Sequence, residues 1–202
     1  MLLTLHPTNP QPRLLKQIVE CLQDGGIIIY PTDTIYGLGC SISKPKAIEK
    51  ICVIKGLKPE KAQLSFICNS LSHLSDYAKP ISTPTYRILK EHLPGPYTFI
   101  LNASKQVPKI LQSKKHTIGL RIPNNIIALQ LITELNEPIL SASLPNTTIE
   151  EYTDPEVIYE TFGNQVDIVI DGGMGGIIPS TIIDYTNDEV PLLIREGLGK
   201  WE

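Results

Sequence analysis

Apolar positions along the chain alternate between a helical period and short continuous runs, and this predicts helices and strands in turn. Between Pro12 and Gly26, apolar residues at Leu14, Leu15, Ile18, Val19 and Leu22 mark one face of an amphipathic helix. Pro12 suits its first turn, and Gly25-Gly26 ends it. The run from Ile27 to Tyr30 reads as a strand covered on both faces, because Ile is stiff at χ1 and an unbroken apolar run suits a fully buried strand. A helix over Ala47 to Lys55 follows, with Pro45 near its start. Next come a strand at Leu64 to Cys68, a helix at Thr85 to His92, and strands at Tyr97 to Ala103 and Thr117 to Pro123.

Asn124 or Asn125 caps the next helix, whose stripe runs through Ile127, Ala128, Leu131, Ile132 and Leu135, before a strand at Ile139 to Ser143. Thr153 and Glu156 form a capping box for a further helix, with Pro155 in the first turn and Gly163 past the end. The last third holds three strands, Val166 to Gly173, Ser180 to Tyr185 and Val190 to Gly197, with no helix between them, so the sheet must be partly antiparallel. There is no repeat, low-complexity tract or linker. The expectation is one α/β domain over residues 1–202, core about 14–199: a twisted open mixed sheet with helices on both faces.

At 202 residues the chain can bury a core without disulfides or metals. The net charge of −3 gives no long-range attraction to nucleic acid or anionic membrane, so a polyanion site must be a local patch. Cys21, Cys40, Cys52 and Cys68 lack C-x-x-C spacing, no leader precedes them, and no apolar run approaches the roughly 20 residues of a bilayer span. These features point to reduced thiols and a cytoplasmic protein without membrane contact.

Chemistry gathers at strand ends, where open α/β sheets bind ligands. Four segments qualify: Pro31 to Gly37, Arg121 with Thr117, Ser141 with Ser143, and Ser180-Thr181 with Arg195. Singly, each has a plainer reading. Asp33 is then a turn residue bonding the backbone two positions on, each arginine a solvated charge, and the lysines Lys55, Lys58 and Lys61 a basic loop. Gly37 and Gly39 let the backbone pass close to a ligand or neighbour. The histidines lack metal spacing, so zinc is discarded, and Asp171 to Gly176 lacks the Lys-Ser/Thr ending of a phosphate loop and reads as a mobile connection. What remains is hydroxyls and cations without a nucleophile or paired carboxylates. That inventory suits a polyanion and an amino acid, because phosphoryl or nucleotidyl transfer runs on positioning and on cations.

In order, Pro31 to Leu38 (PTDTIYGL), Pro94 to Thr98 (PGPYT), Arg121 to Pro123 (RIP), Ser180 to Asp184 (STIID) and Arg195 to Gly197 (REG) resemble the YrdC-like family of L-threonylcarbamoyladenylate synthases, from about Leu14 to Gly199. The resemblance implies a large, positively lined cavity. It also implies an activity: L-threonine, bicarbonate and ATP give threonylcarbamoyl-AMP and pyrophosphate, the first step of a tRNA adenosine (t6A) modification. Thr34, Arg121, Ser141 and Ser180 would hold threonine. Lys55, Lys61, Thr117, Ser143 and Arg195 would contact ATP, with Lys55 and Arg195 offsetting charge as the carbamate attacks the α-phosphorus. Magnesium would arrive on the triphosphate, with no tightly bound cofactor. A downstream threonylcarbamoyl transferase and tRNA or double-stranded RNA are the macromolecular partners implied.

Three positions depart from the family pattern. Leu57 stands where its K-x-R has arginine, Ser143 where its S-x-N has asparagine, and Ile67 where a histidine is expected. These features are similar to the YciO-type branch. The alternative expectation is therefore a nucleotide- or double-stranded-RNA-binding protein of the same fold without synthase activity.

Overall fold

The computed structural model describes residues 1–57, 64–111, 116–145 and 152–201. Among these, ten strands form one sheet and six α-helices pack on it. The strands are β1 (Leu2–Thr4), β2 (Ile28–Tyr30), β3 (Gly37–Ser41), β4 (Ser65–Ile67), β5 (Tyr97–Asn102), β6 (Thr117–Arg121), β7 (Ile139–Ser143), β8 (Ile168–Asp171), β9 (Thr181–Asp184) and β10 (Leu192–Arg195). The helices are α1 (Pro12–Gln23), α2 (Pro45–Ile54), α3 (Leu71–Tyr77), α4 (Thr83–His92), α5 (Ile126–Leu135) and α6 (Pro155–Phe162). The order across the sheet is β1-β8-β2-β3-β7-β4-β6-β5-β9-β10, with parallel and antiparallel neighbours mixed. No helix among the described residues is long and apolar enough to cross a membrane, and the four cysteines form no disulfide.

Alternation along the strands splits the core in two. Leu15, Ile18 and Leu22 of α1 and Ile127, Leu131 and Ile132 of α5 cover Ile28, Tyr30, Ile139, Ile168 and Ile170 on one face. On the other, α2, α3, α4 and α6 cover a longer row that includes Ile29, Leu38, Leu140, Phe66, Leu120, Phe99 and Ile183. The first core draws on no residue of β6, β5 or β9.

Several local readings need correction. The capping box gives way to Asp154, whose Oδ1 accepts the Glu156 amide at 2.9 Å. At α5 the cap is Asn125, accepting from the Ala128 amide. Strand β3 and helix α3 were not expected. Helix α3 is one capped pair of turns in which the Ser70 side chain accepts the His73 amide. Strand β3 exists because of its neighbours: a Cβ on Gly39 would lie 2.7 Å from Ile139 Cγ2 and 2.9 Å from Tyr30 Cε1. The glycine vacates space for a ring and a methyl group, rather than for a ligand. Gly39→Ala is expected to destabilise the fold by about 1–3 kcal/mol through overpacking, read from a urea midpoint at unchanged slope.

Nor is the glycine-rich stretch from Asp171 to Gly176 a free connection. It links β8 to β9 across several intervening strands, and it is tied down on the way. The Tyr36 hydroxyl donates to Gly173 O at 2.7 Å and accepts from the Gly172 amide, while the Gly176 amide donates to Thr34 O at 2.7 Å. A Cβ on Gly176 would lie 2.6 Å from that same Thr34 oxygen.

Candidate functional site

Where α1 and α5 leave the sheet face bare, a cavity of about 750 Å³ opens, within the roughly 300–1,000 Å³ usual for small-molecule sites. Its floor follows from strand register. Ser65 of β4 pairs with Ser141 of β7 on one side and Gly119 of β6 on the other, and Gly119 pairs with Ile100 of β5. Successive side chains alternate faces, so the residues between these, such as Phe66, Leu120 and Leu140, fill the opposite core. A row of small and hydroxyl-bearing residues is left facing the cavity. Its described lining includes three cations, Lys55, Arg121 and Arg195, and no carboxylate. In a chain of net charge −3 this is a local concentration of positive charge.

Arg121 ends β6 and is buried, with 7% of its surface exposed. Its Nη2 donates to Asp33 Oδ1 at 2.5 Å and to Thr34 Oγ1 at 2.8 Å. Asp33 thus serves as the counter-ion of Arg121 instead of a turn residue. The turn is made by Thr32, whose Oγ1 accepts the Thr34 amide at 3.0 Å and donates to Ile35 O at 2.8 Å. Arg121 Nε and Asp33 Oδ2 are buried without a partner among the described residues, an unmet hydrogen-bonding demand at the cavity floor.

Across the cavity, Ser180 Oγ lies 2.9 Å from Thr98 Oγ1. Arg195 donates through Nε and Nη2 to Ser180 O at 3.1 and 2.7 Å. A β-bulge aims this arginine. Leu193 opposes Ile183 and Arg195 opposes Ile182, so Ile194 is the extra residue of β10. Strict alternation would place Arg195 on the same face as Leu193, opposite the cavity, and the bulge turns it in. Desolvation, and secondly the nearby Arg121 guanidinium, lower the Arg195 pKa from its ordinary value. A group in that position favours an anion beside it. At the mouth, Lys55 Nζ donates to Ser143 O at 2.6 Å and to Ser143 Oγ at 3.2 Å, and partial burial lowers its pKa too.

Of the residues expected from sequence, Lys55, Thr117, Arg121, Ser141, Ser143, Ser180 and Arg195 line one cavity. Thr34 lies just beneath, 2% exposed, with its hydroxyl turned to Arg121. Lys58 and Lys61 fall outside the described residues. Ser65, Thr98 and Thr32 also line the cavity; Ser65 was not singled out beforehand, and Thr32 and Thr98 were named only within the Pro31 to Gly37 segment and the Pro94 to Thr98 motif. Ser65 and Thr98 sit at inward positions of strands that were read correctly, so alternation alone would have found them. All three departing residues, Leu57, Ile67 and Ser143, are in the lining as well. No group of three or more His, Cys, Asp or Glu suited to a metal occurs among the described residues.

A mixed α/β sheet carrying a cationic, hydroxyl-lined cavity has the lining chemistry that suits an anionic small molecule. The chain belongs to the Sua5/YciO/YrdC family, whose model, described as telomere recombination, matches residues 20–197. A protein of Haemophilus influenzae named only as uncharacterized is 47% identical over 198 residues, 96% of this chain and 94% of its own. The crystal structure of Escherichia coli YciO superposes with a TM-score of 0.91 at 43% identity, covering 99% of this chain and 97% of that one. The threonylcarbamoyl-AMP synthase of Pyrococcus abyssi is 32% identical over 177 residues, 87% of this chain and 52% of its own. The structure of P. abyssi Sua5 with L-threonine has a TM-score of 0.86 at 27% identity, covering 98% of this chain and 57% of that one. The chain therefore spans little more than half the length of these P. abyssi relatives.

Proposed function

We propose that the cavity binds L-threonine and ATP and that the chain is a cytoplasmic threonylcarbamoyl-AMP synthase acting in t6A modification of tRNA. The observation that carries this reading is Arg121, buried at the floor with Thr34 behind it and Ser141 and Ser180 in the same lining. A guanidinium so placed suits a carboxylate. Asp33 and Thr34 engage only Nη2, and Nη1 makes no hydrogen bond to a described residue, which leaves it to the ligand. The P. abyssi structure with L-threonine supports this class of ligand. Bicarbonate condenses with the threonine amine to a carbamate, with loss of water. A carbamate oxygen then attacks the α-phosphorus, and pyrophosphate leaves. Lys55 and Arg195 would face the charge developing on the phosphates. Magnesium would be held by the triphosphate itself, because the described lining offers no carboxylate.

A second reading is a nucleotide- or double-stranded-RNA-binding protein of the same fold. It is favoured by Leu57, Ile67 and Ser143, which put an apolar group or a single hydroxyl where the family pattern has arginine, histidine and asparagine.

The deciding experiment incubates the protein with ATP, magnesium, bicarbonate and labelled L-threonine. Pyrophosphate with a threonine-adenylate adduct is expected. If no product forms while ATP still binds by calorimetry, the second reading stands. RNA binding through phosphate contacts would then weaken steeply with salt.

A further inference from the structure

Tyr30 is fully buried at the end of β2, directly opposite Gly37 of β3. Its ring crosses β3, and its hydroxyl emerges at β7, where it donates to Ser141 Oγ at 2.8 Å. Both glycines of β3 lie along that path. A Cβ on Gly37 would stand 3.1 Å from Tyr30 Cε1 and 3.0 Å from Ser141 Oγ, and one on Gly39 would stand 2.9 Å from Tyr30 Cε1. A side chain at either position would push the ring aside or break its contact with the serine.

A serine hydroxyl has one proton to donate and two lone pairs to accept with. Tyr30 occupies one lone pair, and Ser141 donates to no described residue. The serine lines the cavity, so its remaining proton points to whatever occupies that space. Burial raises the Tyr30 pKa to about 12, and the tyrosine stays a donor throughout the neutral range.

We infer that Tyr30 is a positioning residue: it fixes Ser141 as a hydrogen-bond donor to an anionic or carbonyl oxygen of the ligand, and Gly37 and Gly39 are small to let its ring reach the serine. The ligand oxygen concerned belongs to the amino acid, a point that rests on the threonine reading above. The glycines, the ring and the serine form one device spanning three strands. Tyr30 touches no ligand itself and acts through Ser141.

The test is a double-mutant cycle of Tyr30→Phe and Ser141→Ala. It is read by calorimetric titration with L-threonine and by crystal structures of the unliganded variants. Tyr30→Phe is expected to weaken threonine binding about three- to tenfold, the worth of one neutral hydrogen bond. It should change affinity by at most about twofold when Ser141 is already alanine, because coupled residues are not additive. In the Tyr30→Phe crystal, Ser141 is expected to spread over two or more χ1 rotamers. Additive losses in the cycle, or a single unchanged Ser141 rotamer, would overturn the inference. If the wild-type protein binds no threonine, the functional reading fails on its own, and the rotamer of Ser141 still decides the role of Tyr30.

Discussion

Arg121→Ala is expected to abolish threonine-dependent pyrophosphate release and to lower the unfolding free energy by about 3–5 kcal/mol. The two losses have different origins. The first is the missing grip on a carboxylate. The second arises because Asp33, whose side chain is 12% exposed, would be left with no counter-ion at the cavity floor. Breaking a buried pair from one side costs far more than removing both charges. Adding Asp33→Asn to Arg121→Ala should therefore restore most of the stability, and none of the binding. Urea unfolding reads the stability and calorimetry with L-threonine the binding. If threonine binding survived Arg121→Ala, the carboxylate would have to sit elsewhere in the cavity.

Leu57→Arg combined with Ser143→Asn is expected to tighten ATP binding by about tenfold to a hundredfold, since each change returns a hydrogen-bonding group within reach of phosphates or base. Leu57 is 40% exposed and Ser143 ends a strand at the surface, so stability should change little. The variant separates the two functional readings. Higher affinity with a matching rise in adduct formation means that the wild-type wall works as a weakened synthase. Higher affinity with no adduct means that the chemistry needs a group this chain lacks. Unchanged affinity would show that ATP lies away from Leu57 and Ser143.

The readings that held in the sequence are those in which each residue speaks for its own neighbourhood. Helices α1 and α5 announce themselves by a wide apolar stripe and, for α5, by an asparagine cap. The site hydroxyls of β6 and β7 show as polar residues at alternate positions of otherwise apolar strands. What stayed hidden depends on partners far along the chain. Strand β3, Gly-Leu-Gly-Cys-Ser, has none of the β-branched or aromatic residues that mark strands, and it is a strand because Tyr30 and Ile139 need its missing side chains. Asp33 and Arg121 are 88 residues apart, so a local reading assigned the carboxylate to a turn that Thr32 makes. The loop after β8 looked free because glycines carry no visible contacts, although its backbone is bonded to Tyr36 and Thr34. The facing of Arg195 depends on a bulge, which strict alternation reads the wrong way round.

Strands β6, β5 and β9 bury one face under helices and leave the other to the cavity, so the two sides of the same peptide meet different physical demands. Outward residues such as Leu120, Phe99 and Ile183 are held in place by what they pack against. Inward residues such as Gly119, Thr98 and Ile182 face the cavity instead. An exchange of one inward side chain therefore alters the chemistry of the cavity while the helix-covered core beneath it keeps its contacts.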